Sequence, residues 1–226
     1  MNNIPPSAAE VLGRIFPGRD LSTITPAAFE PEDPRREAED WNRDRATRLH
    51  VLKTPALFAN ATADLTQVQD WAVHYLRTGP GARSLLLLGA TGTGKTHQAY
   101  GALRHLAGSG WPPIAWRAIE AAELYALMRP GSTPDAEACF TALADAPLLL
   151  LDDLGSGRWT EFTEEVTFRL VNYRYVHGLP MIVTSNVRPE VFTDTFGARI
   201  SSRLRQMCTL IDLGLSDRRQ APGSAA

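Results

Sequence analysis

The chain has 226 residues, 44% of them hydrophobic, and a formal net charge of −2. That is enough for one substantial packed domain with a small appendage, while the near-neutral charge excludes bulk attraction to nucleic acid, so any such contact needs a local patch. No apolar run approaches the ~20 residues of a membrane span, and the N-terminus MNNIPPSAAE lacks the basic-then-apolar layout of a secretory signal.

Two distant cysteines, Cys139 and Cys208, fit a reducing cytoplasm and read as buried small hydrophobes rather than a disulfide. Residues 1–34 hold six of the sixteen prolines, which predicts an extended arm. Six acidic and six basic residues mix across 32–53, as on an exposed helix, so 1–53 is expected to be a partner-docking arm. In DLTQVQDWAVHYLR, Leu65, Val68, Trp71, Ala72, Tyr75 and Leu76 recur at helical spacing. From Ser84 onward the rhythm changes. The runs SLLLL, PIAWRA, PLLLLD, PMIVTS and CTLID alternate with helical stretches, which predicts parallel strands buried on both faces under covering helices. The packed domain is placed at 54–219, and 220–226 reads as a frayed tail.

Gly89 to Thr96, GATGTGKT, fits G-x-x-x-x-G-K-T between the strand SLLLL and the helix KTHQAYGALRHLA. That is the context a phosphate-binding P-loop needs. Gly89, Gly92 and Gly94, with Ala90, Thr91 and Thr93 between them, let backbone N–H groups wrap phosphates at a helix N-terminus. Only two lysines occur among 23 basic residues. One of them, Lys95, is the point charge for the β- and γ-phosphates, and Thr96 offers its hydroxyl to Mg²⁺. PLLLLDDLG ends a central strand with two acids at the crevice where such sheets bind ligands. Asp152 is the metal partner, and Asp153 the general base that orients the attacking water. Asn186, just past PMIVTS, is suited to polarise that water or read the γ-phosphate. His97 and His105 lie on the P-loop helix without metal-ligand partners and read as structural.

LLLLGATGTGKTHQA, LLLLDDLG, VNYRY with LPMIVTSN, and RISSRLRQM together resemble the DnaC/IstB-like branch of the AAA+ ATPases, from Phe58 in FANATADL to Arg218. The resemblance implies an α/β three-layer P-loop NTPase fold of AAA+ type, with a parallel five-stranded sheet in the order 5-1-4-3-2. After CTLID only LGLSDRRQAPGSAA follows, too little for a C-terminal lid domain, a truncation that branch shares. GLSDR matches its G-x-S-x-R segment and implies a sensor-2-like ATP contact at Arg218. Asp217 stands where the family more often has an aromatic. In GARISSRLRQ, Arg203 matches the arginine finger, with Arg199 one helical turn earlier on the same face. Such a finger reaches ATP on a neighbouring subunit, so the active site is shared.

The resemblance thus implies a cytoplasmic, Mg²⁺-dependent ATPase that forms a homo-oligomer on binding ATP, without a membrane. The first reading is a DnaC-like loader acting on a replicative DNA helicase. The alternatives are an IstB-like transposition helper serving a transposase, and a nucleotide-switched adaptor with little turnover. Trp116 and Tyr125, with Arg117 and Arg129, are candidates for a single-stranded DNA contact, although each aromatic taken singly reads better as core.

Overall fold

Leucine-rich runs become the centre of a sheet. The computed structural model describes residues 54–109 and 114–218; the proline-rich arm and the tail lie outside them. Strands β1 (Ser84–Leu88), β2 (Trp116–Glu120), β3 (Leu148–Leu154), β4 (Met181–Ser185) and β5 (Cys208–Asp212) form one parallel sheet in the order β2-β3-β4-β1-β5. Read from the other edge, this is the expected 5-1-4-3-2.

Successive leucines point to opposite faces, so each strand feeds two cores. Leu85, Leu87, Leu148 and Leu150 pack under helices α1 (Thr66–Thr78) and α2 (Lys95–Gly108), against Val68, Trp71, Tyr75, Leu103 and Leu106. Leu86, Leu88, Leu149 and Leu151 meet the other layer: α3 (Ala121–Met128), α4 (Ala136–Ala144), α5 (Glu161–Val176) and α6 (Phe192–Met207). Each fully buried leucine contributes about 1.5–3 kcal/mol, which is why a continuous apolar run is stable here and an alternating one is not. Burial on both faces holds for β1 and β4 throughout and for the leucines of β3. The edge strands differ, with only Trp116 of β2 and only Cys208 and Ile211 of β5 buried.

Several expectations are corrected. β2 starts at Trp116 and runs on to Glu120, pairing with β3 in that register, instead of covering PIAWRA. Cys139 is exposed on α4, whereas Cys208 is buried, and both are free thiols. Leu76 of α1 is 40% exposed and lies outside both cores. Trp116 and Tyr125 are both buried, in the two cores on opposite faces of the sheet. They therefore offer no shared stacking platform for single-stranded DNA.

Two packing features fix the helices of the second layer. Arg174 of α5 is fully buried and donates to the last carbonyls of α4, Leu143 (3.1 Å) and Ala144 (2.8 Å), and to Pro180 just before β4. It thus adds charged donors to the carbonyls at the end of α4, and burial pulls its guanidinium pKa down to about 10. Helix α6 bends at Gly197, whose φ of 74° breaks the helical path. Just before the bend, Phe196 fills the space over Gly155, where a methyl group would meet its Cζ at 2.7 Å. Phe196 also packs edge-on against Trp159, with ring centroids 4.8 Å apart. No helix of the described residues is long and apolar enough to cross a membrane.

Candidate active site

The P-loop joins β1 to α2, and β3 and β4 end beside it, so the sheet brings three loops to one crevice. Gly94 caps α2 in the left-handed conformation and Lys95 is its first residue. Lys95 is 6% exposed, and its Nζ donates to Gly89 O (2.9 Å), Ala90 O (2.8 Å) and Asn186 Oδ1 (2.6 Å). Asn186 in turn donates from Nδ2 to Asp153 Oδ1 at 2.6 Å. One amide therefore bridges the P-loop ammonium and the second acid of β3.

A parallel chain holds the first acid. Thr96 Oγ1 donates to Asp152 Oδ1 at 3.1 Å, and Thr184 Oγ1 donates to the same oxygen at 2.6 Å. Burial pushes the Asp152 carboxyl above the ordinary range, against the pull of those two hydroxyls, with a further push from Asp153. Such a perturbed acid in a cleft is what functional sites tend to hold.

The backbone between the two acids is irregular. Leu151 pairs with Val183 and Leu154 with Ser185, so Asp152 and Asp153 together oppose the single residue Thr184. This bulge is what brings consecutive carboxylates to one side, where a regular strand would alternate them. Asp153 has φ 56°, the only positive φ among the described non-glycine residues, and strain of this kind clusters at functional positions. Thr184 fills the bulge: besides its bond to Asp152, its Oγ1 accepts from Asp153 N at 2.8 Å. Sequence reading picked Asn186 from TSN and missed Thr184. A hydroxyl two residues before the strand-end amide was the available signal.

Two segments flank the P-loop. Residues 58–65 lie on α2, where Phe58 stacks on Tyr100 with centroids 5.0 Å apart. His97 Nε2 accepts from Thr62 N, and Gln98 Oε1 accepts from Asp64 N and Leu65 N, capping the start of α1. His97 is thus structural, as read. Gly101 permits this approach, since a methyl group there would lie 2.3 Å from the Thr62 carbonyl carbon. On the other side, Leu213 N donates to Leu88 O, Ala90 N to Gly214 O and Arg218 N to Gly92 O. Arg218 therefore reaches the P-loop, with its guanidinium leaning toward Asp64 at 3.9 Å. Asp217 presses on Gly92, whose φ is 86° and where a methyl group would sit 2.2 Å from Asp217 Oδ1.

Arg199 and Arg203 share a face of α6, as their spacing predicts. Both lie over the Phe168 ring of α5, at 3.9 and 4.8 Å from its centroid. Arg203 Nε donates to Asn172 Oδ1 (2.7 Å) and Nη1 to Arg199 O (3.1 Å).

A five-stranded parallel sheet in this order, with a P-loop after its β1 and acids on β3, decides the architecture. This is an AAA+ P-loop NTPase fold. The crystal structure of the DnaC helicase loader shares it, with a TM-score of 0.60 and 22% identity over 70% of this chain and 99% of that one. DnaI gives 0.61 and 22%, over 74% and 94%. AMPPCP-bound DnaA from Aquifex aeolicus gives 0.54 and 21%, over 65% of this chain and 45% of that one. No family model matches the sequence, and no curated protein matches it. At these identities the shared property is the AAA+ fold.

Proposed function

We propose that the chain binds ATP with Mg²⁺ at this crevice and hydrolyses it in an assembly of copies, acting in DNA replication as a DnaC-like helicase loader. The observation that carries the reading is the convergence of Lys95, Thr96, Asp152, Asp153 and Asn186 through two hydrogen-bonded chains. The loader role is supported by the fold shared with DnaC and DnaI.

The residues fit the metal. Thr96 Oγ1 and Asp152 Oδ1 are hard oxygen donors 3.1 Å apart, and Mg²⁺ characteristically takes one or two protein oxygens plus substrate phosphates instead of an all-protein cage. Accordingly, no cluster of three acidic, histidine or cysteine ligands exists among the described residues. When bound, the ion neutralises charge on the β- and γ-phosphates. Lys95 contributes a fixed positive charge to those phosphates, and the P-loop N–H groups orient them. Asp153, steered by Asn186, accepts the proton of the attacking water. Arg203, with Arg199 beside it, stabilises transition-state charge at the site of a second copy. Arg218 contacts the phosphates from the opposite side of the P-loop. Residues 1–53 dock the helicase.

Lys95→Ala tests the site: ATP binding or turnover should be lost, and unchanged ATPase activity overturns the assignment. Capture experiments comparing the full chain with one beginning at Pro55 test the role. Recovery of a replicative helicase by the full chain alone supports the loader reading, and recovery of a transposase supports an IstB-like helper in its place.

A further inference from the structure

We propose that Asn172, with Phe168 one turn before it on α5, is a positioning residue for the nucleotide site of a neighbouring copy: it sets the direction of Arg203 without neutralising it. This rests on the shared-site reading above and adds two residues which that reading does not use. Phe168 and Asn172 on α5 meet Arg199 and Arg203 on α6, one i,i+4 pair laid against another. The Phe168 ring lies against both guanidinium groups, its centroid 3.9 Å from Arg199 Cζ and 4.8 Å from Arg203 Cζ. Asn172 Oδ1 accepts from Arg203 Nε at 2.7 Å, and Arg199 O accepts from Arg203 Nη1 at 3.1 Å. Stacking thus sets the plane of the Arg203 head group, and the two hydrogen bonds fix its rotation within that plane.

The kind of acceptor sets this arginine apart from the two on α5 itself. Arg169 pairs both of its Nη atoms with the Glu137 carboxylate. Arg174 is buried and gives its donors to main-chain carbonyls. Both are used up by the fold. Arg203 is half-buried, is held by a neutral amide, and forms no ion pair among the described residues. Glu164 and Glu165 line the groove that Arg199 borders, yet neither comes within ion-pair distance of either arginine. A guanidinium has five N–H donors, and two are taken here, so three remain for a ligand, both on Nη2 among them. A neutral acceptor therefore orients the head group and leaves its charge and its outer donors available. Ordering the side chain in advance also removes that entropy cost from assembly, and a donor to a transition state works only when held in the productive geometry.

The test measures ATP binding and Mg²⁺-dependent hydrolysis with the full chain. Asn172→Leu should bind ATP within about twofold of wild type and hydrolyse it about ten- to a hundredfold more slowly, the range for losing a hydrogen bond to a charged group. Asn172→Asp keeps an acceptor and adds a counter-charge. It should hold the arginine at least as firmly and still slow hydrolysis, whereas a residue that merely props α6 against α5 would tolerate the change. Because the defect lies in what a copy lends, Asn172→Leu mixed with Lys95→Ala should regain partial activity, and Asn172→Leu mixed with Arg203→Ala should not. Where Lys95→Ala rescues Arg203→Ala, this inference alone is overturned by wild-type hydrolysis in Asn172→Leu or Asn172→Asp, or by an Asn172→Leu mixture with Lys95→Ala that co-assembles and stays inactive. Normal hydrolysis by Arg203→Ala, or its failure to be rescued in a mixture that co-assembles, overturns the shared-site reading and this inference with it.

Discussion

Thr184 and Asp153 face each other across the β3 bulge, the Asp153 amide donating to Thr184 Oγ1 at 2.8 Å while that hydroxyl donates onward to Asp152. One side chain thus holds the backbone of the second acid and the carboxylate of the first. Thr184→Val keeps the shape and deletes both bonds. An unsatisfied group of this kind costs about 1–3 kcal/mol, equivalent to a melting point lower by about 2–4 °C per kcal/mol. Single-turnover hydrolysis should fall with it, and Thr184→Ser should restore both. A valine variant with wild-type turnover would show that the bulge needs no hydroxyl.

Asp153→Asn should bind ATP and hydrolyse it slowly. The hydrogen-bonded pair Thr96–Asp152, proposed above to hold the metal, survives, while loss of a positioned base lowers turnover by about 10²–10⁴. Equilibrium binding beside single-turnover rates separates the two effects. A variant that binds no nucleotide means the roles of Asp152 and Asp153 are exchanged.

The central strands, the P-loop and the acids on β3 were legible in sequence because each is a local pattern: LLLL, G-x-x-x-x-G-K-T, and acids at the end of an apolar run. The bulge was not, since a register shift depends on what Ser185 pairs with, and no property of DD alone reveals it. Asp217 could be placed next to Arg218 by sequence, but its contact with Gly92 spans more than a hundred residues and arises from β5 pairing beside β1. Trp116 and Tyr125 were legible as aromatic but not as belonging to opposite cores, because which layer each meets depends on how β2 and the helix after it pack on the sheet and not on residue type.

Gly101→Ala should detach residues 58–65 from α2, because the new methyl meets main-chain atoms of Thr62 and Ala63 at 2.3–2.5 Å, and backbone cannot rotate aside as a side chain does. Overpacking of this kind costs about 1–3 kcal/mol. A lower melting temperature, with faster amide exchange at Thr62, Asp64 and Leu65, is the expected result; an unchanged exchange pattern would show that the segment is not held there.

Arg203→Ala should bind ATP as a single subunit and lose about 10³–10⁵ in hydrolysis rate. Mixed with Lys95→Ala protein it should regain partial activity, one copy supplying the arginine and the other the intact P-loop. A mixture that co-assembles and stays inactive, or normal hydrolysis by Arg203→Ala alone, leaves Arg203 as a packing residue over Phe168 and Asn172.

Alkali should unfold the protein through groups that resist losing their protons. Burial raises Tyr100 from 10 to about 12, with Asp152, Glu120 and Glu123 adding to the push, and raises Cys208 from 9 to about 12. Below the unfolded values both states are protonated and the contribution is whole; as pH rises toward about 12 only the unfolded chain ionises, and stability falls. Melting temperatures between pH 8 and 11 should therefore decline, less steeply in Tyr100→Phe. An identical slope in that variant would exclude the phenol as a contributor.

Gly155 follows Asp153 by two residues, and the space it leaves is occupied by Phe196, the residue before the bend of α6 at Gly197. The loop after the acids and the helix bearing Arg199 and Arg203 thus share one aromatic spacer. In an assembly of the kind proposed, each copy would carry the distance between its own acids and the arginines it lends to a neighbour as a built-in gauge. The pitch from one nucleotide to the next would then be measured out within each chain, and adjoining copies would inherit it.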